Sequence, residues 1–169
     1  EMAYLKPSTT LQYLNPYLRL KIFGNAKFSE KKYTEDKQSV LEYYNSLGYR
    51  DAVIVADTQF YDKTGNLNVD IKVNEGSQYY FGNMVWKGNT KYSDSIMNLL
   101  TGIKKGDIYN IETLNKKLGK QMSMEGGDIT SLYQDDGYLF FRIDAIETAV
   151  YNDTIDHEIR IVEGPEASY

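Results

Sequence analysis

The sequence predicts an α+β protein made of two tandem copies of one small module, chiefly because the chain repeats itself at long range. Residues 44–76 contain a Tyr, a Gly-Tyr pair, an extended run, an alternating run and a terminal Glu-Gly, and residues 133–164 repeat this order. The offset is 89 at the Gly-Tyr pair (137 minus 48) and 88 at the Glu-Gly (164 minus 76). A period near 90 residues fits a small domain and is too long for a solenoid repeat.

The composition narrows the class of protein. The chain of 169 residues has a net charge of −5 with acids and bases interleaved, so no nucleic-acid partner is expected. The absence of Cys removes thiol catalysis and disulfides. No apolar run approaches the roughly 18 residues of a membrane-spanning helix, so we expect a soluble fragment with any signal or anchor outside it. The 16 Tyr residues are expected mostly on half-buried surfaces.

The second copy begins with a strand and a short helix. Residues 78–87 are rich in Tyr, Phe, Val and Trp and stop at Gly88, which predicts a strand and a turn. Ser93 is then the expected N-cap of a helix that Gly102 closes. The apolar face of this helix is predicted to consist of Ile96, Met97, Leu99 and Leu100.

A second helix of this copy is predicted to start after an N-cap at Asn110. Its apolar residues recur at steps of three or four, except across one gap that contains Gly126 and Gly127. Because each Gly inside a helix costs about 1 kcal/mol relative to Ala, we expect the helix to kink or open there before it resumes to Gly137. The residues of the stripe are Ile111, Leu114, Leu118, Met122, Ile129, Leu132 and Tyr133.

Two strands complete the second copy. Residues 138–150 and 154–163 alternate between apolar and polar positions, and Asn152-Asp153 between them predicts a tight hairpin. Each strand has one dry face, which only the helices are available to cover. The module is therefore strand, helix, helix, strand, strand: a three-stranded sheet with a helix pair on one face. The inward positions are Leu139, Phe141, Ile143, Ala145, Ile155, His157, Ile159 and Ile161.

The first copy follows the same order but is predicted to be truncated at its N-terminus. A helix is expected at 30–47 with Leu47 inward, followed by a hairpin of strands 51–61 and 67–74. Too few residues precede this helix for the opening strand, and 9–23 is interpreted as the first helical region with a bend near Pro16. We therefore divide the chain into a partial module at 1–76, a complete module at 77–165 and a stub at 166–169.

The ordered residues of both copies resemble a POTRA domain, the polypeptide-transport-associated module. The run Gly48-Tyr49-Arg50-Asp51-Ala52 is similar to the POTRA domains of BamA-like outer-membrane assembly proteins in particular. The resemblance covers 78–165 in full and 30–77 in part. It rests on the segments 81–90, 99–100, 105–110, 132–133, 137–138 and 163–165, together with Leu114.

This resemblance implies a periplasmic array at the outer membrane, followed in the full-length protein by its own C-terminal β-barrel. Such an array receives unfolded outer-membrane protein clients, docks accessory lipoproteins and is not an enzyme. A related translocation protein, such as one of a two-partner secretion system, is the alternative within the family. A carbohydrate-binding module that stacks sugars on Tyr and Trp86 is the alternative outside it. No cofactor or metal is expected.

The POTRA fold implies that the first strand of each hairpin lies at a sheet edge, where an extended client can pair by β-augmentation. We expect the hairpin of the second copy, rather than its helices, to carry this contact, and Pro at Arg142 to weaken it if that amide faces the open side. Glu75, Gly76 and Ser77 are the expected hinge, too short for independent tumbling of the modules. The candidate partner-binding residues are Val53, Val55, Asp57, Gln59, Phe140, Arg142, Asp144 and Ile146.

The remaining polar candidates favour structural roles. His157 is the only histidine and is equivalent to the inward Val69, so it is expected to be packed in the core. Asp135 and Asp136 are expected to be solvated at a helix end. A hairpin turn is favoured over a calcium loop near Asp62, because the sixth position of that loop must be Gly and is Leu67 here.

Overall fold

The computed structural model describes residues 9–14, 17–22, 29–121 and 127–167, with side chains described from residue 29 onward. These ranges contain seven strands and four helices, which confirms the α+β class. The elements are β1 (Thr9–Leu14), β2 (Tyr17–Ile22), α1 (Glu30–Ser46), β3 (Val53–Tyr61), β4 (Leu67–Asn74), β5 (Tyr80–Lys87), α2 (Asp94–Thr101), α3 (Ile111–Leu118), α4 (Ile129–Asp135), β6 (Arg142–Tyr151) and β7 (Thr154–Val162).

The described residues form two compact units. The first unit contains those up to Asn45 together with Tyr49–Ser77, and the second contains Ser46–Gly48 together with those from Gln78 onward. The sheet of the first unit has the order β1-β2-β4-β3, and that of the second has the order β5-β7-β6. In the second unit β5 runs parallel to β7 and β6 runs antiparallel to it, so the strands have the predicted arrangement. The two predicted helices are present, the second one divided into α3 and α4.

The core of the second unit lies between its sheet and its helices. The inward positions of β7 alternate as predicted, and Ile155, His157, Ile159 and Ile161 are all buried. The ring of His157 stacks on Tyr109 at a centroid distance of 5.8 Å and lies 5.8 Å from the ring of Phe81, so the predicted core position of His157 is confirmed. The helices contribute Met97, Leu114, Leu118, Ile129 and Tyr133 to the same core.

The predicted apolar face of α2 is wrong at two of its four residues. The helix follows Ser93 and ends at Gly102, as predicted, but Leu99 is 81% exposed and Ile96 is 40% exposed. An eight-residue helix has only two turns, so one narrow stripe reaches the sheet. That stripe is Met97 and Thr101, one turn apart and both buried.

The predicted interruption of the second helix is confirmed, but it starts at Gly119 rather than at Gly126. Helix α3 ends at Leu118, Gly119 adopts a left-handed φ of 83°, and α4 begins after Asp128, whose side chain accepts the Ser131 amide. The hydroxyl of Thr130 donates to the Leu118 carbonyl at 2.6 Å, which joins the two helix ends directly. Met122 and Gly126 lie outside the described residues.

The first unit differs from the prediction at its N-terminal end. Residues 9–23 were expected to be helical, whereas Thr9–Leu14 and Tyr17–Ile22 form an antiparallel hairpin, with Phe23 outside the described residues. Strand β2 pairs antiparallel with β4, in the place where the second unit has its parallel opening strand. In the described part of the first unit no strand runs parallel to β4, and the pairing of β2 supplies partners for backbone groups of β4.

Helix α1 packs on β4 and β3 of the first unit. Its Tyr33 and Val40 are buried against Val69 and Ile71 of β4. The predicted inward position of Leu47 is wrong, because the helix ends at Ser46 and Leu47 is 38% exposed.

The hairpin of the second unit has the predicted turn and a shorter first strand than predicted. Asn152 and Asp153 adopt φ angles of 46° and 58°, as a type I′ turn requires. Strand β6 starts at Arg142 rather than at residue 138, because the Phe141 amide donates to the Tyr138 carbonyl in a turn. Leu139 is consequently 62% exposed and not inward, as the alternation had predicted.

The end of β7 is fixed by a carboxylate network. Glu163 accepts hydrogen bonds from the Lys91 amide at 2.9 Å, from the Tyr133 hydroxyl at 2.9 Å and from the Thr90 hydroxyl. Burial alone would raise the pKa of Glu163, but these donors outweigh burial and lower it. Asp136 accepts from the Tyr92 hydroxyl and from Lys91 Nζ, which lower its pKa in that order, so Asp136 is engaged in the structure rather than merely solvated.

The Glu163 network predicts a pH-dependent contribution to stability. Because the folded pKa of Glu163 lies below its ordinary 4.5, its charge stabilises the second unit above about pH 4.5, and this contribution is lost as the pH falls through the folded pKa. Glu163→Gln should lower the free energy of unfolding at pH 7 by about 1 kcal/mol and flatten its decline between pH 5 and pH 3. Urea unfolding at each pH measures both effects. The exposed counterpart Glu75 supplies the control, since Glu75→Gln should change the free energy by less than about 0.5 kcal/mol.

The interruption at Gly119 predicts a glycine requirement beyond backbone conformation. A Cβ atom at Gly119 would lie 2.6 Å from Thr130 Cβ, whereas one at Gly106, with a similar φ of 92°, would meet no atom within 4 Å. Gly106→Ala should therefore cost about 1 kcal/mol for the left-handed backbone alone. Gly119→Ala should cost about 2–4 kcal/mol, because crowding adds to the same backbone term. Equal losses in thermal or urea unfolding would show that crowding of the added Cβ by Asp128 Oδ1 and Thr130 does not matter.

Candidate functional site

Each sheet ends on the first strand of its hairpin, as predicted. Strand β3 borders only β4, and β6 borders only β7, among the strands that the structure describes. An edge strand presents backbone N–H and C=O groups that no neighbouring strand pairs. The question for function is which residues of β3 and β6 turn these groups outward.

The hairpin turn fixes the answer for β6. Tyr151 and Thr154 flank the two-residue turn and are therefore joined by the hydrogen bond that closes it. In an antiparallel ladder, pairs that exchange hydrogen bonds alternate with pairs that do not. Since β7 continues without a bulge, its even-numbered residues bond to β6. The opposite residues of β6 in the straight part of the ladder are Arg142, Asp144 and Ile146, which pair with Val162, Arg160 and Glu158.

Strand β5 gives an independent check of this phase, that is, of which residues of β7 direct their backbone groups towards β6. A Cβ atom at Gly88, the residue after β5, would collide with the carbonyl oxygen of Ile161, so that oxygen points towards β5. Odd-numbered residues of β7 thus face β5, and even-numbered residues face β6. The amides of Ile143, Ala145 and Glu147 are left facing the open side.

This phase changes the interpretation of the predicted residues of the second unit. Arg142, Asp144 and Ile146 lie in the edge strand, but their backbone groups face β7. Pro at Arg142 would therefore break the ladder of the sheet rather than a contact on the open side. Phe140 lies before β6 and is 70% exposed. Alternation does not specify which backbone groups of a strand face the open side, whereas the turn at Asn152 does.

The same argument applies to β3. The Asp62 amide donates to the Asn66 carbonyl at 2.9 Å, which places the last bonded pair of this hairpin at its loop. Bonded and non-bonded pairs alternate from this point along the ladder. The backbone groups of Thr58 and Val53 therefore face β4, and those of Asp57 and Gln59 face the open side. Of the four predicted residues, Asp57 and Gln59 therefore present backbone groups outward, and Val55 lies at a bulge.

Bulges limit the straight part of both edges. The register shifts between Ile54 and Ala56 in β3 and between Glu147 and Ala149 in β6. A bulge twists the strand and interrupts regular pairing. The uninterrupted stretches are residues 56–61 and 142–147, six positions in each unit. Each edge thus has room for a short added strand.

A groove of about 440 Å³ runs beside the β3 edge, between it and α1. The side chain of Asp57 lies on the face of the sheet that α1 covers. There it accepts hydrogen bonds from Lys37 Nζ at 2.8 Å and from the Tyr33 hydroxyl at 3.1 Å. The hydrogen bond from Lys37 is the main reason that the pKa of Asp57 is lowered. An inward-pointing charge is one device that discourages edge-to-edge aggregation. The groove is lined by Thr34, Lys37, Gln38, Leu41, Ile54, Val55, Ala56 and Asp57.

Charged side chains also accompany the β6 edge. Lys120 Nζ lies 2.8 Å from Asp144 Oδ1, and Glu147 accepts from the Tyr109 hydroxyl at 3.1 Å. The side chains of β6 that face the helices expose little apolar surface, because Ile143 is 7% exposed and Ala145 packs on the core.

Other candidate chemistry has structural explanations. Trp86 is 5% exposed and donates to Asn98 at 2.8 Å, so it is not a platform for stacking sugars. Asp62 accepts from the Thr64 hydroxyl at 2.6 Å and from the amides of Asn66 and Thr64 in the β3–β4 turn, and these bonds lower its pKa. In residues 29–121 and 127–167 there is no cluster of three or more His, Asp or Glu that is arranged to hold a metal ion. None of the helices in these ranges has the length and apolarity required to cross a bilayer.

Comparison with known families gives a match over both repeats. The family model described as "POTRA: Surface antigen variable number repeat" matches residues 10–76 and 79–164.

Two solved structures are similar in fold to the chain. POTRA domains 3–5 of BamA from Haemophilus influenzae are 20% identical, with a TM-score of 0.56 over 87% of this chain and 56% of that one. BamA from Haemophilus ducreyi lacking POTRA domains 1–3 is 13% identical, with a TM-score of 0.55 over 83% of this chain and 24% of that one. The chain therefore spans about half of the first structure and a quarter of the second.

The direction of the β3 amides predicts that proline destabilises the first unit to different degrees at two adjacent positions. Gln59→Pro removes an amide that faces the open side and should lower the free energy of unfolding by less than about 1 kcal/mol. Thr58→Pro removes an amide that bonds to β4 and should cost about 2–3 kcal/mol, because the carbonyl partner is also left unsatisfied. Both residues are exposed, so side-chain packing contributes little to either value. A greater loss from Gln59→Pro, measured by urea unfolding, would reverse the assigned phase.

Proposed function

The chain belongs to the POTRA family, and from this premise we propose that it binds and guides unfolded outer-membrane proteins on the periplasmic side of the outer membrane. The contact is β-augmentation: an extended client segment adds a strand to the open edge of β3 or β6. In the full-length protein these units precede a C-terminal β-barrel, and accessory lipoproteins dock on the array. The role is that of a scaffold and not of an enzyme.

The pair of straight, open edge strands carries this proposal. On β6 three residues, Ile143, Ala145 and Glu147, turn backbone groups to the open side, and each has one donor and one acceptor. A paired client therefore gains up to about six hydrogen bonds, each with a net value of roughly 0.5–1.5 kcal/mol. Ordering a client residue costs roughly 1–2 kcal/mol in backbone entropy, so the two totals for a short strand are similar. The expected contact is weak and independent of sequence, as a guide for many clients requires.

The similarity in fold to BamA POTRA domains supports a role in outer-membrane assembly. The division into a partial module at 1–76 and a complete one at 77–165, joined by a hinge at Glu75, Gly76 and Ser77, remains part of the proposal. Within the first unit Gly76 has a φ of 70°, a conformation that glycine adopts without strain.

Single-cysteine crosslinking tests the proposed contact, because the chain contains no native cysteine. Ile146→Cys in β6 and Glu158→Cys in β7 are directly opposite each other in the ladder, one strand apart. A short crosslinker on an unfolded outer-membrane protein peptide should label Ile146→Cys at least about fivefold more than Glu158→Cys, since an added strand lies only about 5 Å from β6. Thr58→Cys and Asp70→Cys form the equivalent pair in the first unit.

The exposed helix residue Leu99 provides the competing outcome. If labelling is concentrated at Leu99→Cys and the two cysteines of each ladder pair react equally, the client binds the helices and strand addition is rejected.

A further inference from the structure

An ion pair crosses the open edge of β6. Asp144 belongs to the outward series of this strand, because the buried residues Phe141 and Ile143 occupy the face that packs on the helices. Lys120 follows α3 and therefore starts from the helix side of the sheet. Since Asp144 lies within the strand and not at its end, Lys120 reaches it around the free edge, with Nζ 2.8 Å from Oδ1.

The position of this pair coincides with the amides that a client would use. Asp144 lies between Ile143 and Ala145, the two residues whose backbone groups face the open side. A strand added to β6 must therefore displace the side chain of Lys120. The first unit is different, because its Asp57 is on the helix side and Lys37 pairs with it there. The pair of the second unit is thus the one that spans an edge among the described ion pairs.

We propose that the Lys120–Asp144 pair is a latch on the β6 edge, and that it selects extended segments in which a basic and an acidic residue are adjacent. This inference rests on the proposed function of the edge. An added antiparallel strand places one residue opposite Asp144 on the outer face, where a basic side chain is favoured. The neighbouring residue of that strand points to the helix side, where the displaced Lys120 favours a carboxylate.

The latch is weak enough to be opened by a client. The side chains of Lys120 and Asp144 are 39% and 69% exposed, and ion pairs of this kind contribute little in water. Removing the latch should therefore raise the affinity for an uncharged strand by only about two- to fivefold. Two new cross-strand charge pairs should favour the matched strand by about three- to tenfold over the uncharged one.

The test uses blocked eight-residue peptides of alternating Val and Thr, with Asp-Lys, Ser-Ser or Lys-Lys at the centre. Binding to the whole chain is measured by fluorescence anisotropy and its place by crosslinking to Ile146→Cys. The wild type should prefer Asp-Lys to both other peptides. Lys120→Met combined with Asp144→Asn should abolish this preference and bind Ser-Ser about two- to fivefold more tightly than the wild type does.

A matched control and a second readout keep the two proposals separable. Lys116→Met removes a similarly exposed lysine that pairs with Glu112 within α3 at 2.8 Å, and it should leave all three affinities unchanged. If the peptides crosslink to Ile146→Cys but the double variant has the wild-type affinities, the latch is overturned and strand addition stands. If no peptide crosslinks to Ile146→Cys or Thr58→Cys in any variant, strand addition fails and the latch fails with it.

Discussion

The second strand of each hairpin, β4 or β7, must pair with two neighbouring strands while burying one face. In β7 the buried side chains are at odd positions, and the backbone groups of the same residues face β5. The even positions face β6 through their backbone and carry the polar outer face, so one alternation sets both packing and pairing. A shift of one residue would expose Ile159 and also turn a different set of β6 amides to the open side. Packing of the core therefore fixes the register of β6 on β7, so the same backbone groups always face the open side.

Tyrosine hydroxyls that donate to carboxylates recur at the borders of both cores. Tyr33, Tyr109 and Tyr133 each keep a buried ring, while the hydroxyl reaches Asp57, Glu147 or Glu163. Burial first, and then the adjacent carboxylate, raise the pKa values of Tyr33 and Tyr133. In each case the apolar ring fills the core while the hydroxyl finds a polar acceptor at its border. The contacts of Tyr33 and Tyr109 fix Asp57 and Glu147, which are charged residues of the two edge strands.

The sequence contained most of the architecture but only part of the candidate site. The repeat, the helix caps at Ser93 and Asn110 and the turn at Asn152 are local or periodic signals, and the elements that these signals predict are present. The strands at Thr9–Leu14 and Tyr17–Ile22 were not predictable in this way. The pairing of β2 with β4 is a tertiary contact between distant segments, and no local pattern in the sequence records it. Leu99 and Leu139 were misplaced because periodicity records apolar residues and does not record where a short helix or strand loses contact with the core.

The residues of the β6 edge could likewise be predicted only in part from the sequence. The choice between Asp144 and Ala145 as the residue with an outward amide requires the phase of the hairpin, which its turn residues specify. The proximity of Lys120 to Asp144 has no such signal, because it depends on where α3 ends after Gly119 has closed it. Permanent covers of an edge, such as proline or a packed loop, would also exclude a client. A single exposed ion pair instead protects the edge with a free energy comparable to one hydrogen bond, so the first few backbone bonds of an arriving strand are enough to replace it.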